Sequence, residues 1–206
     1  VENSLFFQHS LISTGMHSLK NVEKTVNFLK RKKANFALLH TTNLYPTPDH
    51  LVRLNSINQL NEKFPNIQIG LSDHTQSNIS AIGAISLGAT IIEKHFVDKK
   101  TRKGPDISSS MDENQLKDLI KDSEIIFRQI KGDKNLLKEE QVTRNFAFSS
   151  VVSIKEIKKG EKFSLKNLWV KRPGTGYLSS DKLNKIIGKK AKRTILKNYQ
   201  IKKNDF

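Results

Sequence analysis

Four short apolar runs in the first two thirds of the chain are each followed by a segment with apolar residues at helical spacing. Short apolar runs without strict alternation are typical of strands buried on both faces of a parallel sheet. The pattern predicts four βα units, with strands at residues 11–13, 36–40, 67–71 and 90–96. It predicts helices at residues 19–28, 51–64, 79–87 and 115–130, and Asp112 is the expected cap of the last helix.

Four βα units are half of a (β/α)8 barrel, and they also suffice for a small open sheet. The connections that follow the strands are STGMHS, HTTNLYPTPD, SDHTQSN and EKHFVDKKTRKGPD. In parallel α/β folds the carboxyl ends of the strands carry the chemistry. Because all four connections are rich in polar and titratable side chains, they form a candidate site.

The last part of the chain has a different pattern, with short β-like runs, turn signals and a short helix predicted near residues 181–187. The polar segment GDKNLLKEEQVTRN separates it from the βα units. We therefore expect an α/β protein with three parts: a partial TIM-barrel domain at residues 1–131, a linker at 132–145 and a small β-rich domain at 146–206.

The net charge of the chain, +16, lies mostly at its end, since residues 151–206 alone carry +12. A surplus of this size suggests nucleic-acid binding. However, a nucleic-acid surface usually interleaves basic residues with stacking aromatics or carries a known motif, and residues 151–206 have neither. We favour a solvated lysine-rich face with no nucleic-acid partner, and a basic nucleic-acid-binding domain remains an alternative.

The chain has no cysteine, which excludes disulfides, a thiolate zinc site and a cysteine nucleophile. It has no apolar run near the roughly 20 residues that span a membrane. The first residues also lack the pattern of a signal peptide. We therefore expect a cytoplasmic location and no membrane partner.

Two histidines stand at matching ends of neighbouring predicted strands, His74 in LSDHT and His95 in IIEKHF. Neighbouring strands lie about 4.8 Å apart, so the two side chains can converge on one metal ion. Imidazoles with carboxylate or water suit Mn, Fe or Zn. The alternative is that each histidine is an ordinary hydrogen-bonded residue at a strand end.

Other candidates lie in the same loops. Asn43 and Tyr45 belong to the proline-restricted loop TTNLYPTP, which is otherwise an ordinary βα loop. Ser13 and Ser72 end strands, where they suit either an anion or the capping of a helix. Asp106 in KGPDI has a carboxylate for sugar hydroxyls or proton transfer, unless it serves only a turn.

The ordered motifs ISTGM, LLHTTNLYPTP, IGLSDHT, LGATIIEKHF, GPDISSSM, NFAFSSVVS, IKKGE, NLWVKRPGTG and IGKKA resemble those of bacterial sialic acid synthases. The resemblance covers residues 11–206. It implies the C-terminal half of a TIM (β/α)8 barrel followed by an antifreeze-like (SAF) domain, in a domain-swapped homodimer. It also implies condensation of phosphoenolpyruvate with N-acetylmannosamine to give N-acetylneuraminate and phosphate. A pseudaminate- or legionaminate-type synthase is the alternative.

The resemblance also assigns residues to roles. It implies that His74 and His95 bind a divalent metal, with Mn preferred over Mg or Co. Ser13, Asn43 and Ser72 match positions that contact phosphoenolpyruvate. Tyr45, Asp106 and Phe146 match positions around the amino sugar, where Tyr45 and Asp106 are the catalytic candidates. Arg172 in KRPGTG matches an arginine that meets the N-acetyl group from the partner subunit.

The family's barrel has eight strands, and only four are predicted from this sequence. The missing half carries two glutamates and two lysines used for proton transfer and phosphate binding. We therefore expect a fragment, or the product of a split or truncated gene, that is inactive and aggregation-prone alone. A sugar-binding or regulatory module without catalysis is the alternative from another functional class.

Overall fold

The computed structural model describes residues 7–206. Residues 1–6, with which the first predicted domain begins, lie outside the described part. The chain divides into two compact units, the first ending at Gly132 and the second spanning Asp133–Phe206. Among the described residues, no helix is long and apolar enough to cross a membrane.

The first unit alternates strands and helices, as predicted. Its strands form one parallel sheet in the order β1-β2-β3-β4. The elements are β1 Ser10–Ser13, α1 Leu19–Arg31, β2 Phe36–Thr41, α2 Asn55–Lys63, β3 Ile69–Asp73, α3 Ile79–Ser86, β4 Ile91–Lys94 and α4 Glu113–Gln129.

The helices pack against one face of this sheet because their apolar residues recur at helical spacing. Val22 and Val26 of α1 and Ile57 of α2 share a buried cluster with Leu38 and Leu71 of the sheet. A sheet whose strands follow chain order, with the helices on one side, is the arrangement of consecutive units in a (β/α)8 barrel. The α/β half-barrel predicted from the sequence is confirmed.

The strands differ in burial. All five residues of β3 are buried, as predicted, whereas the residues of β1 alternate between half-buried and exposed. The outer strand β4 is also only partly buried. The prediction of burial on both faces is therefore wrong for β1 and β4, because each has one neighbouring strand in the described sheet and the face turned away from the helices is open.

Local signals explain where two helices begin. Asp112 caps α4 as predicted, since its carboxylate accepts from the Gln115 backbone N–H at 2.9 Å while the Gln115 side chain accepts from the Asp112 N–H at 3.1 Å. Helix α2 begins later than predicted. Residues Asp49–Leu51 form a 3-10 turn, and Arg53 has a φ of 55°, which interrupts the helix before Asn55.

The second unit contains helix α5 Gln141–Ala147 and an antiparallel pair of strands, β5 Ser150–Ser153 and β6 Leu168–Lys171. The two strands overlap the β-like runs predicted from the sequence, Val151–Ile154 and Leu168–Val170. The helix predicted near residues 181–187 is a 3-10 helix, Ser180–Lys185. A 3-10 turn and the start of α5 lie within the segment predicted to be a linker. The core of this unit consists of Val151, Ile157, Phe163, Leu168, Leu178, Ile186, Ala191, Ile195 and Ile201.

Candidate active site

The carboxyl ends of β2, β3 and β4 bring polar side chains together on the sheet face opposite the helices. Side chains alternate along a strand, so Thr41, His74 and His95 share this face. Two contacts join the three strands: the Thr41 hydroxyl lies 3.5 Å from His74 Nδ1, and the rings of His74 and His95 are 5.3 Å apart between centroids. The predicted convergence of the two histidines is present in the structure.

The hydrogen bonds of His74 determine which of its ring nitrogens is free. Its Nδ1 lies 3.0 Å from the carbonyl oxygen of Thr42. Because a carbonyl oxygen can only accept, Nδ1 carries a hydrogen, and in the neutral imidazole the lone pair is therefore on Nε2. Histidines that bind metals commonly donate their other ring N–H to a carbonyl or carboxylate in this way. His74 is thus oriented as a metal ligand would be.

His95 has an acidic neighbour. Its Nδ1 lies 4.0 Å from Oδ2 of Asp106, and both side chains are partly exposed. Asp106 immediately precedes the 3-10 turn Ile107–Ser109, beyond the end of β4. The structure therefore brings Asp106 to the histidine pair, as a site role requires.

Tyr45 completes an aromatic cluster with the two histidines. Its ring centroid lies 4.1 Å from that of His74 and 5.8 Å from that of His95. Buried Thr47 secures the loop that carries Tyr45, because its hydroxyl donates to the Leu44 carbonyl at 2.9 Å and its N–H donates to the His74 carbonyl at 3.0 Å. Tyr45 is still 45% exposed, so its phenol is accessible to a ligand.

Asn43 presents a polar atom without a protein partner. Its Oδ1 is buried and makes no hydrogen bond. Such atoms are rare in folded proteins and call for an explanation. A ligand that donates a hydrogen bond at this point, or a bridging water, would satisfy it.

Ser72 is held by a residue that the sequence analysis did not single out. Its hydroxyl donates to Oε1 of Glu93 at 2.7 Å. Glu93 lies two residues before His95 on the same strand, so the period of two could have placed it on the site face. The capping alternative for Ser72 is wrong, because its hydroxyl donates to Glu93 and the N-cap of the following helix, α3, is Asn78.

Ser13 lies at the exposed end of β1, and its hydroxyl accepts from the Gly15 N–H at 3.4 Å. It caps no helix among the described residues, since Ser18 caps the helix that follows. In the second unit, the guanidinium of Arg172 lies 5.9 Å from the centroid of the Phe146 ring. The structure thus brings the two predicted sugar-contacting residues of that unit together.

The described residues contain no group of three or more histidine, cysteine or acidic side chains arranged to hold a metal ion. The possible donors at the site are the His74 and His95 imidazoles, whose ring centroids are 5.3 Å apart, and the Asp106 carboxylate, 4.0 Å from His95 Nδ1. Two imidazole nitrogens, with water or substrate oxygens in the other positions, are a donor set that suits transition-metal cations such as Mn, Fe or Zn.

A model of the NeuB family matches residues 6–135, more than half of the chain. The chain belongs to the NeuB family. A model of the SAF domain matches residues 148–206. Together the two matches confirm the resemblance to sialic acid synthases that the motifs indicate.

Relatives of this NeuB-family chain include a legionaminic acid-type synthase and a pseudaminic acid synthase. The N,N'-diacetyllegionaminic acid synthase of Campylobacter jejuni is 38% identical over 198 residues, covering 92% of this chain and 56% of that protein. The pseudaminic acid synthase of the same organism is 34% identical over 199 residues, covering 96% and 57%. The chain therefore spans little more than half the length of these relatives.

A solved structure supports the same fold. The crystal structure of N-acetylneuraminic acid (sialic acid) synthetase from Leptospira borgpetersenii, in complex with citrate, matches with a TM-score of 0.60 and 31% sequence identity. The match covers 65% of this chain and 47% of that chain.

Proposed function

We propose that the chain forms part of a synthase that condenses phosphoenolpyruvate with N-acetylmannosamine to give N-acetylneuraminate and phosphate. The observation that carries the proposal is the cluster of Tyr45, His74 and His95 at the carboxyl end of a parallel sheet in a NeuB-family chain. This is the end at which barrels of this kind bind substrates.

In this proposal His74 and His95 hold a divalent cation, with Mn²⁺ preferred and Mg²⁺ or Co²⁺ as alternatives. The cation, when bound, supplies Lewis-acid polarisation of the open-chain sugar aldehyde. The Thr42 carbonyl accepts from Nδ1 of His74, which leaves Nε2 as the nitrogen proposed to bind the cation.

Ser13, Asn43 and Ser72 are proposed to contact phosphoenolpyruvate. Phosphoenolpyruvate presents acceptor oxygens, so the side-chain nitrogen of Asn43 is the atom that would donate to its carboxylate or phosphate. The unpartnered Oδ1 can only accept, and a water that donates to it would satisfy it. The Ser72 hydroxyl donates its one hydrogen to Glu93, so it has to release Glu93 before it can donate to an oxygen of phosphoenolpyruvate. These side chains bind and orient; they need not change protonation.

Tyr45 and Asp106 are proposed to surround the amino sugar, with Asp106 accepting hydrogen bonds from its hydroxyls. Phe146 is proposed to lie among the positions around the amino sugar. Arg172 is proposed to meet the N-acetyl group in a partner subunit's barrel, which requires a homodimer. Arg172 suits an acyl oxygen because its guanidinium presents several donors in one plane.

The proposed reaction joins the two substrates through a carbon–carbon bond and consumes one water molecule. Carbon 3 of phosphoenolpyruvate forms a bond to the aldehyde carbon, whose oxygen takes up a proton. Water adds to carbon 2, and cleavage of the bond between carbon 2 and the phosphate oxygen releases inorganic phosphate and leaves a ketone. We expect this chemistry to take place in the cytoplasm.

A second candidate is a synthase for N,N'-diacetyllegionaminic acid. It is favoured by the relative from Campylobacter jejuni, which is 38% identical to this chain. The two candidates differ only in the six-carbon amino sugar that is accepted.

The test is a synthase assay on the chain, alone and co-expressed with the preceding part of a related synthase. Each form receives phosphoenolpyruvate, Mn²⁺ and one amino sugar at a time, and both phosphate release and the nine-carbon product are measured. We expect product from the co-expressed form, with N-acetylmannosamine as the best substrate. If the diacetylated amino sugar that leads to N,N'-diacetyllegionaminic acid is the better substrate, the second candidate is supported instead.

The matched control compares His74→Ala with His50→Ala. His50 is exposed in a 3-10 turn outside the cluster, so its replacement should leave the rate unchanged. Replacement of His74 should abolish product. If no sugar yields product while the intact relative is active under the same conditions, the proposed function is wrong.

A further inference from the structure

A buried ion pair lies behind the histidine pair. Lys94 Nζ contacts Oδ2 of Asp73 at 2.8 Å, and each side chain is 1% exposed. Asp73 and Lys94 are paired residues in the register of β3 and β4. Because side chains alternate along a strand, this ion pair is on the helix side of the sheet and the next residues, His74 and His95, are on the site side.

Thr75 hydrogen-bonds both members of the ion pair. Lys94 Nζ also donates to the Thr75 carbonyl at 2.6 Å. Asp73 accepts from the Thr75 backbone N–H at 2.9 Å and from its hydroxyl at 3.1 Å. Asp73 and Thr75 are the residues immediately before and after His74. One ammonium group on β4 therefore fastens the chain on both sides of His74.

Stability alone does not account for this arrangement. Well-packed apolar side chains in place of a buried ion pair often leave a protein equally stable or more stable. Apolar side chains cannot form hydrogen bonds from one strand to specific atoms of the neighbouring turn. Here the hydrogen bonds of Lys94 connect β4, which His95 follows, to residues 73–75, which include His74.

We propose that Lys94 and Asp73 are positioning residues that set the spacing of the His74 and His95 imidazoles for a shared divalent cation. The inference rests on the metal site of the proposed function. The pair touches no substrate. It acts through the backbone of residues 73–75, which the Thr47 N–H also holds at the His74 carbonyl with a 3.0 Å hydrogen bond.

The test is Mn²⁺ binding to the full chain, measured from the electron paramagnetic resonance signal of free Mn²⁺. The variant Asp73→Asn/Lys94→Met removes both charges and leaves neither one buried alone. We expect its dissociation constant for Mn²⁺ to rise by about tenfold or more, the effect typical of losing a group that orients a metal ligand. The urea midpoint is measured in parallel, to separate loss of positioning from loss of folding.

The matched control is Glu23→Gln/Lys63→Met, which removes the same charges from an exposed ion pair between α1 and α2. Its dissociation constant should stay within about twofold of the wild-type value. If the Asp73/Lys94 variant binds Mn²⁺ as the wild type does, or weakens only in proportion to its unfolded fraction, the positioning role is overturned.

Two further outcomes are distinguishable. If the wild-type chain itself binds no Mn²⁺, the proposed metal site fails, and this inference fails with it. If the double variant does not fold, Thr75→Val keeps both charges and the side-chain shape while removing the hydroxyl that bonds Asp73. We then expect the dissociation constant to rise by about threefold or more, and an unchanged value overturns the proposal.

Discussion

Gly15 lies directly against the side-chain amide of Asn43. A Cβ atom built on Gly15 would be 1.8 Å from Asn43 Oδ1 and 2.6 Å from Cγ2 of Thr41. Gly15 follows β1 and Asn43 follows β2, and these two strands are in parallel register. Only glycine at this position leaves room for the Asn43 amide. Gly15 therefore supports the proposed phosphoenolpyruvate subsite because it has no Cβ atom.

The first prediction concerns Gly15→Ala. The added methyl group must displace Asn43, and such overpacking costs about 1–3 kcal/mol of unfolding free energy. Urea unfolding followed by circular dichroism measures the loss. The control is Gly104→Ala, where the nearest atom to the new Cβ is 3.6 Å away, and its effect should be within about 0.5 kcal/mol. Equal stability of the two variants would contradict the packing argument.

Most of the first unit could be predicted because its signals are local. Apolar runs separated by helical periodicity predict βα units, and Asp112 followed by Gln115 predicts the start of α4. The start of α2 could not be predicted in this way. The apolar spacing typical of a helix begins at residue 51 in the sequence, but the left-handed conformation of Arg53 prevents the helix from starting there.

The site was predictable where it depends on strand order alone. His74 and His95 end adjacent strands, so their convergence follows from a parallel sheet. The role of Glu93 depends on which face of β4 is open, and the ion pair between Asp73 and Lys94 depends on the exact register of β3 and β4. Such cross-strand contacts join residues about twenty positions apart and have no local signature.

The second prediction concerns the cap of α4. Asp112→Ala removes the acceptor for the Gln115 N–H and one half of the capping box. We expect a loss of about 1 kcal/mol in the free energy of unfolding, measured by urea denaturation. Asp118→Ala is the control, because Asp118 is exposed in the middle of the same helix. A larger effect for the Asp118 variant would disprove the capping contribution.

The third prediction concerns the second unit. The buried carboxylate of Asp205 accepts from Arg193 Nε at 2.7 Å and from the Lys202 N–H at 2.7 Å. Asp205→Asn places an amide N–H₂ group among these donors and should cost about 1–3 kcal/mol. Trp169, the single tryptophan of the chain, lies on β6 and reports the unfolding of this unit by fluorescence.

The control for Asp205 is Asp181→Asn, since Asp181 pairs with Lys182 while its side chain remains 62% exposed. Exposed ion pairs contribute little, so the expected change is below about 1 kcal/mol. If Asp205→Asn has the wild-type unfolding midpoint, the hydrogen bonds of the Asp205 carboxylate do not contribute to stability and the prediction is wrong.

The fourth prediction concerns pH. Burial lowers the pKa of His40 below its ordinary value of 6.5, and Arg53 lowers it further, against the opposing effect of the hydrogen bond to the Val52 carbonyl. When the pH falls below 6.5, the unfolded chain therefore binds a proton at His40 that the folded chain does not. The contribution of His40 to stability is complete above that pH and is lost as the pH falls toward the lower pKa of the folded state.

His40→Gln provides the measurement, because glutamine keeps a donor for the Val52 carbonyl but does not titrate in this range. Urea unfolding of both proteins between about pH 7.5 and pH 5 should give a steeper loss of stability for the wild type. The difference reaches at most about 1.4 kcal/mol per pH unit, the limit for one proton. His50→Gln, a change at an exposed histidine, should retain the wild-type slope. Parallel profiles for wild type and His40→Gln would mean that His40 takes up its proton equally in the folded and unfolded chains, which its burial at 4% exposure opposes.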